Sequence, residues 1–275
     1  MTEIPADFTG LIPPEELSND DYHARDEISS SMLKLLDEKT PAHVKGAEAK
    51  KGAALDRGTA YHTGLLEPHN YETTLMRGPA DRRGKKWADA QEKADADGKI
   101  LLVEGDFDDG LRIRDAVHGQ PHIANLLQKN NRQIEYSAFA ELDGVRQRTR
   151  PDVYLPDDEI MIDPKSTQSA SYDDFQRAIV NYRYHIQAAM YPYVWEGAGG
   201  GKVREFLFLA IETKPPFAAA LFELDHECFD EGWTAYRNAV ELYKECVATD
   251  TWPGYPTETQ TMALPRWYKS NKEGI

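Results

Sequence analysis

Two aspartates and a lysine near the middle of the chain form a pattern that could do hydrolytic chemistry. Asp152 lies in the segment 146–155, and Asp163 and Lys165 lie in the segment 160–167. Both segments have the composition of β-strands, in which alternate side chains share a face, so Asp163 and Lys165 project from the same side. If the two strands pair, both carboxylates and the ammonium converge. Because burying such a cluster alone is costly, we expect a ligand to balance it.

A divalent cation and a phosphate are the ligands that this cluster favours. Mg²⁺ binds a few carboxylates together with waters and phosphate oxygens, and can supply a hydroxide near neutral pH. Lys165 would orient the attacking water or neutralise charge that develops on the phosphate. Arg148 and Arg150 alternate in step with Asp152, so we expect them beside the phosphate. The alternative from these residues alone is a surface hairpin held by ion pairs.

Three further motifs stand around this cluster in a fixed order. Upstream, on a predicted helix, is Gly58-Thr-Ala-Tyr-His62; downstream is Gln187-Ala-Ala-Met-Tyr191; and Pro151 directly precedes Asp152. This order resembles the RecB-like branch of the PD-(D/E)xK nuclease superfamily. The phrases beginning at Ile28 and Trp252, with the two motifs above, resemble more specifically the catalytic domain of RecE-type exodeoxyribonuclease VIII, over roughly residues 26–268.

The resemblance assigns roles to residues of this chain. It implies metal binding by Asp152, Asp163 and His62 and by the main-chain carbonyl of Pro164. It implies catalysis by Lys165 with both aspartates, and Glu135 matches an acidic position of some relatives. Gln187 and Tyr191 would touch DNA or hold the catalytic strands. Since proline cannot donate to a strand ladder, we also expect the second strand to end or bulge at Pro164.

The same resemblance implies a fold and an activity. The fold would be a restriction-endonuclease-like α/β core, with a central mixed β-sheet flanked by helices and a helical N-terminal extension. The activity would be Mg²⁺-dependent hydrolysis of linear double-stranded DNA from 5′ ends, with Mn²⁺ as a substitute ion. A single-strand annealing protein and a ring of identical subunits are the implied partners, and DNA recombination is the implied process.

Two alternatives stay open. One is a RecB-like or Cas4-like nuclease of other polarity; the Cas4 type generally carries a four-cysteine iron–sulfur cluster, and this chain has two cysteines. The other is a non-catalytic DNA-binding protein on a decayed nuclease fold, against which the presence of every acid and lysine of the motif counts.

The elements that must position these residues follow from the hydrophobic pattern. We expect an irregular arm over 1–25, a helical flank over 26–132, a catalytic sheet with helices over 133–248, and an ordered strap rich in proline and aromatic residues over 249–275. Within these, helices are predicted at 30–38 and 53–66. Continuous strands are predicted at 133–140 and 145–155, joined by a hairpin turn at Asp143-Gly144. The glycine-rich 197–201 reads as a flexible break.

Composition limits the remaining classes of function. The chain has 275 residues with 32 Lys+Arg and 47 Asp+Glu, a formal net charge of −15. Such acidity argues against coating nucleic acid by bulk charge but allows a local basic groove. No apolar run is long enough for a membrane span, and the first residues do not resemble a secretory signal. Two cysteines without a CxxC motif fit a reducing cytoplasm, so a cytoplasmic protein of a bacterial or phage-infected cell is expected.

Overall fold

The computed structural model describes residues 4–47, 52–265 and 268. Within these residues the strands are β1 (Gly10–Ile12), β2 (Leu75–Arg77), β3 (Ile100–Leu102), β4 (Gln133–Ile134), β5 (Ser137–Leu142), β6 (Val145–Thr149), β7 (Val153–Leu155), β8 (Ile160–Thr167), β9 (Glu205–Glu212) and β10 (Ala219–Glu223). The helices are α1 (Asn19–Ala24), α2 (Ser30–Glu38), α3 (Pro41–Lys45), α4 (Ala53–Leu66), α5 (Tyr71–Thr74), α6 (Gly84–Ala96), α7 (Glu104–His118), α8 (Pro121–Leu127), α9 (Tyr172–Asn181), α10 (Tyr184–Gly197) and α11 (His226–Thr249), with a 3₁₀ turn at Pro68–Asn70.

A mixed five-stranded sheet organises the molecule. Its strand order is β10-β9-β8-β7-β4, in which β8 and β9 are parallel and the other neighbours are antiparallel. The chain leaves β8, forms α9 and α10, and returns as β9, which is the crossover that a parallel pair requires. The predicted fold class, an α/β core with a mixed sheet between helices, is confirmed.

Helices cover both faces of this sheet, so its central strands are buried on either side. On one face, Met161 and Phe208 join the core formed with α2, α9, α10 and α11. On the other face, Ile162 and Leu209 pack with apolar residues of α4, α7 and α8. Successive residues of β8 and β9 therefore pack into two different cores, which explains the continuous apolar runs Ile160–Ile162 and Phe206–Ile211.

The helices that carry site residues form where the sequence predicts them. α2 and α4 occupy the predicted ranges 30–38 and 53–66. Ser171 caps α9 by accepting a hydrogen bond from the backbone N–H of Asp174, and Asp225 caps α11 in the same way through Cys228.

A separate three-stranded antiparallel sheet, in the order β1-β5-β6, packs beside the central one. Its β5–β6 hairpin turns at Asp143-Gly144, where both residues have positive φ (54° and 72°), and Leu142 pairs with Val145. This is the tight turn that the Asp-Gly pair predicts.

The prediction of continuous strands at 133–140 and 145–155 is wrong, because each range contains two shorter strands. Each is broken at the same level, the first at Glu135, which has a φ of 54°, and the second between Thr149 and Val153. Pro151 lies in the second break, and its missing N–H explains why the ladder stops there. β4 and β7 then join the central sheet, while β5 and β6 join the small one.

Pro164, by contrast, does not end or bulge its strand, and that expectation is wrong. β8 runs through it, with Pro164 opposite Leu209 of β9. The pairing of β8 with β7 covers only Ile160 to Ile162, so one side of β8 is already free of that strand at Pro164. We infer that the missing N–H therefore costs no ladder hydrogen bond.

The N-terminal arm is more regular than predicted. β1 pairs with β5 through Leu11 and Ala138, and Ser18 caps α1. Tyr22 of α1 is buried against Phe139. The arm is ordered by its pairing with β5, which lies more than 120 residues away in the sequence. For that reason the arm's own sequence does not predict its structure.

The C-terminal strap and the glycine-rich turn also differ in detail. Trp252 packs on Tyr243 and the carbonyl of Pro253 accepts a hydrogen bond from Ala42, but most of the following residues to 265 are exposed. The rest of the predicted strap lies outside the described residues, Tyr268 excepted. At 197–201 the chain makes a defined turn, because Gly200 packs directly on the Trp195 ring. In the part of the chain that the structure describes, no helix is both long and apolar enough to cross a bilayer.

Candidate active site

The β7–β8 hairpin sets the two aspartates opposite each other. Val153 pairs with Ile162, so the next position outward in this antiparallel register places Asp152 beside Asp163. The two carboxyl groups lie close enough to interact, since burial raises the pKa of Asp163 and the charge of Asp152 adds to that increase. The predicted convergence of the two acidic side chains is therefore what the structure has.

Asp163 is the most deeply buried acid of the site, with 2% of its surface exposed. Lys165, two residues along the same face of β8, contacts its Oδ2 atom, and the side-chain amide of Gln187 donates to its Oδ1 atom. Burial raises the pKa of Asp163 to about 6 against the opposing charge of Lys165, and the nearby charge of Asp152 adds to the increase. Burial alone would lower the pKa of Lys165, but Asp163 and Asp152 raise it above its ordinary value.

His62 approaches from α4, on the other side of Asp152. Its Nε2 atom lies 3.0 Å from Oδ1 of Asp152, and its Nδ1 atom lies 3.1 Å from Oε1 of Glu135. Burial disfavours the charged imidazole, but the charge of Asp152 and the contacts with both carboxylates raise the pKa of His62 to about 10. The same pairing holds the pKa of Asp152 below its ordinary value despite burial.

Glu135 joins the site because of its unusual backbone. Its φ of 54° lies in the left-handed region, which a side chain other than glycine seldom adopts without a compensating contact. The N–H of Glu135 donates to the carbonyl of Asp152 at 3.3 Å, and its carboxylate meets His62. The break in the strand thus turns this side chain toward the histidine.

Lys34 is a site residue that the sequence analysis missed. Its ammonium donates to Oε1 of Gln187 at 2.6 Å and lies 5.2 Å from the centre of the Tyr184 ring. Lys165 lies 5.0 Å from the centre of the same ring, so one tyrosine serves both ammonium groups. Burial and the charge of Lys165 lower the pKa of Lys34 to about 7.

A faint signal for Lys34 exists in the sequence. It is the only basic residue of α2 and stands four positions after the buried Ser30, which puts it at the edge of that helix's buried face. The residue that links Lys34 to the site, Gln187, lies 153 residues away in the sequence. Only the tertiary structure connects the two.

Gln187 and Tyr191 lie on one face of α10, as their spacing predicts. Gln187 is 4% exposed and bridges Lys34 and Asp163, so it holds the catalytic strand, the second of the two roles that the resemblance implies. Burial raises the pKa of Tyr191 well above its ordinary value, and Tyr22 and the two aspartates add to the increase. Pro164 and His62 both line a small cavity of about 130 Å³.

Arg148 and Arg150 contact the N-terminal arm rather than the two aspartates, which corrects the prediction that both share the face of Asp152, although Arg150 lies near enough to Glu135 and Tyr191 for their charges to affect its pKa. Arg148 is 5% exposed, and its guanidinium donates to the carbonyl of Arg25. Arg150 donates to Ser137 and to the carbonyl of Leu17. The break at Pro151 separates their strand from β7, so their alternation does not carry over to Asp152. Both arginines hold the N-terminal arm.

The donor set of the site suits a hard divalent cation, although the side chains have turned to other partners. Among the described residues, no three His, Cys, Asp or Glu side chains come together in a geometry that would hold a metal ion. The buried carboxylate of Asp163 and the partly exposed carboxylate of Asp152 are nevertheless adjacent, and His62 and Lys165 balance their charges. Two carboxylates and a main-chain carbonyl are oxygen ligands that fit Mg²⁺ or Mn²⁺, and the imidazole is a ligand that suits a transition metal.

Comparison with known proteins gives the family. Residues 29–265 match the family described as a PDDEXK-like domain of unknown function (DUF3799). The chain belongs to this family. Membership places it in the PD-(D/E)xK superfamily and supports a nuclease function.

One solved structure supports the fold, and a second gives a weaker superposition. A protein of Eubacterium rectale described as a "Putative exonuclease" superposes with a TM-score of 0.62 at 14% identity, covering 94% of this chain and 99% of that one. A phage-related exonuclease of Haemophilus somnus 129PT gives a TM-score of 0.36 at 12% identity, covering 82% and 97%. Among curated proteins, none is similar enough to count as a match.

Proposed function

We propose that this DUF3799 protein is a Mg²⁺-dependent deoxyribonuclease that degrades linear double-stranded DNA from 5′ ends during recombination. The observation that carries the proposal is the meeting of Asp152, Asp163 and Lys165 at the β7–β8 hairpin. The motif order and the exonuclease description of the Eubacterium rectale neighbour support the choice of substrate and the exonucleolytic mode.

Asp152, Asp163, His62 and the carbonyl of Pro164 would hold the cation. When bound, it would polarise the scissile phosphate and lower the pKa of a water molecule that becomes the nucleophile. Glu135, on the far side of His62, would orient the imidazole.

Lys165 has a role that its own surroundings define. Its ammonium contacts Oδ2 of Asp163, so it lies beside a carboxylate that would hold the cation. It would neutralise the negative charge that grows on the phosphate as the bond to the leaving oxygen breaks. Gln187 and Lys34 would keep Asp163 in place for this contact.

Digestion of linear duplex DNA in Mg²⁺ tests the proposal. Wild type should release nucleotides, EDTA should stop the release, and Mn²⁺ should restore it. Asp163→Ala and Lys165→Ala should each lose at least about 10²-fold in rate, the usual cost of removing a group that stabilises a transition state. Lys202→Ala, which removes an equal charge at an exposed position, should not change the rate. Undiminished digestion by both site variants would end the assignment.

End-labelled DNA tests the polarity. A 5′ label should be released before a 3′ label on the same duplex, and circular duplex should resist. Earlier release of the 3′ label would favour a RecB-like nuclease of the other polarity. If DNA is bound but never cut under any metal condition, the protein is a binding module on a nuclease fold.

We also propose that the active form is a ring of identical subunits, working with a single-strand annealing protein. A ring whose acidic residues face outward would reconcile the net charge of −15 with a DNA held inside. Native mass spectrometry should give a closed oligomer, and a monomer at micromolar concentration would contradict it.

A further inference from the structure

A groove of about 720 Å³ opens beside Lys165, between α4, the end of β8 and α9. Lys165 is shared with the catalytic cluster, so whatever occupies the groove lies next to the scissile position. Tyr182 and Tyr184 line the same groove. It is therefore a continuation of the active site and not an isolated depression.

The groove is basic on an otherwise acidic protein. Arg57 lies 3.8 Å from Asp106, Arg177 lies 2.8 Å from Asp174, and Lys165 contacts Asp163, so three of its four cations are paired. Lys214 is exposed at the rim. The charged residues that line it are Arg57, Lys165, Arg177, Lys214, Asp106 and Asp174. This excess of cations favours a phosphate backbone.

A column of aromatic rings runs from the core to the surface of this groove. Phe208 is fully buried in β9, and Tyr184 stacks on it with centroids 5.5 Å apart and planes at 29°. Tyr182 stacks on Tyr184 with the same spacing and angle. Tyr182 ends the column, and 63% of its surface is exposed. An exposed ring of this size at the end of a stack offers a flat face to another ring.

Resting on the nuclease function proposed above, we propose that Tyr182 is the platform on which an unpaired base of the substrate stacks beside the scissile phosphate. Arg177 and Lys214 contact the flanking phosphates. A base inside a duplex has both faces covered by its neighbours, so the groove takes a single-stranded or frayed stretch. Stacking on an aromatic ring tolerates any base, because every base has a π-face. The groove therefore recognises unpaired DNA without reading its sequence.

The matched control lies at the opposite end of α9, whose C-cap is Tyr182. Tyr172 begins α9 and is 68% exposed, and its ring packs against Phe222 outside the groove. Tyr172→Ala and Tyr182→Ala thus remove the same side chain from equally exposed positions. Neither side chain is part of the core, and circular dichroism checks that both variants fold.

The experiment is a fluorescence titration in EDTA with a single-stranded oligonucleotide that carries 2-aminopurine. Wild type should bind and quench the fluorescent base. Tyr182→Ala should bind about 5- to 150-fold more weakly and lose the quenching, in line with the usual contribution of one base–aromatic stack. Tyr182→Phe and Tyr172→Ala should behave like wild type.

An oligonucleotide in which one position has no base separates the two kinds of contact. When the abasic position is the one that would stack on Tyr182, wild type and Tyr182→Ala should bind the oligonucleotide with equal affinity. Lys214→Ala should weaken binding of the normal and the abasic strand equally, because it acts on phosphate. If Tyr182→Ala binds and quenches as wild type does while wild type still digests DNA, the stacking platform is refuted and the nuclease proposal stands. If wild type neither binds nor cuts DNA, both are refuted.

Discussion

Replacing Gln187 by methionine probes the link between α2, α10 and the catalytic strand. Gln187 accepts from Lys34 at 2.6 Å and donates to Asp163, so the change removes two hydrogen bonds to charged groups. Each such bond contributes roughly 1.5–3 kcal/mol, so the free energy of unfolding should fall by about 3–6 kcal/mol. Because a domain has only about 5–15 kcal/mol in total, this loss is large.

Most of that loss should come from leaving the Lys34 ammonium and the Oδ1 atom of Asp163 without their hydrogen bonds to Gln187. The double variant Lys34→Met/Gln187→Met removes one of the stranded groups. It should therefore be less destabilised than the sum of the single variants, by at least about 1 kcal/mol. Urea unfolding followed by tryptophan fluorescence measures all the free energies. Additivity within about 0.5 kcal/mol would refute a coupled Lys34–Gln187–Asp163 unit.

Gln147 supplies the control for activity. It is fully buried, accepts from the Tyr236 hydroxyl at 2.9 Å and donates to the carbonyl of Leu142 at 3.2 Å. Its partners are neutral, so Gln147→Met should cost about 1–3 kcal/mol, and the rate of DNA hydrolysis below the unfolding transition should not change. Gln187→Met should slow hydrolysis under the same conditions. Equal rates for the two variants would show that Gln187 acts on folding alone.

Three further predictions concern the scaffold. Glu27→Gln should destabilise the protein by about 3 kcal/mol at neutral pH, since Glu27 is buried and paired with Arg25. Contacts that include Arg25 lower the pKa of Glu27 despite burial. The difference in urea midpoint between wild type and Glu27→Gln should therefore close as pH falls from 4.5 through that lowered pKa. Gly200→Ala places a Cβ 2.3 Å from the Trp195 ring and should lower the free energy of unfolding by about 1–3 kcal/mol. In the control Gly105→Ala, the added Cβ meets no atom within 4 Å. Equal Tm values for the two variants would contradict the packing of Gly200 on Trp195. Arg150→Ala should expose the N-terminal arm to proteases and leave DNA affinity unchanged, and a selective loss of affinity would restore its predicted role at the phosphate.

The convergence of Asp152, Asp163 and Lys165 could be predicted because it depends only on local rules. Alternation along β8 puts Asp163 and Lys165 on one face, and a short hairpin brings Asp152 opposite. The spacing of Gln187 and Tyr191 works in the same way, since a helix puts residues four apart together. Short-range periodicity therefore recovers much of the candidate site.

The remaining parts depend on contacts between distant segments. Lys34 belongs to the site only because α2 packs beside α10, and periodicity does not show such a pairing. Arg148 and Arg150 were misplaced because alternation was carried through Pro151, where the chain passes from one sheet to another. The arm gains its strand from β5, whose edge its own residues do not predict.

The short pairing between β7 and β8 has a consequence for how this family can vary. Three residue pairs, ending at Leu155 and Ile160, hold the two acidic positions in step, and the connection between them is a surface turn. Extra residues in that turn, at 156–159, would lengthen a tip and leave the spacing of the carboxylates unchanged. A single residue inserted after Ile160 but before Asp163 would instead swing that aspartate to the opposite face of the sheet. Among members of the family, differences in length should therefore be common at 156–159 and absent between Ile160 and Asp163.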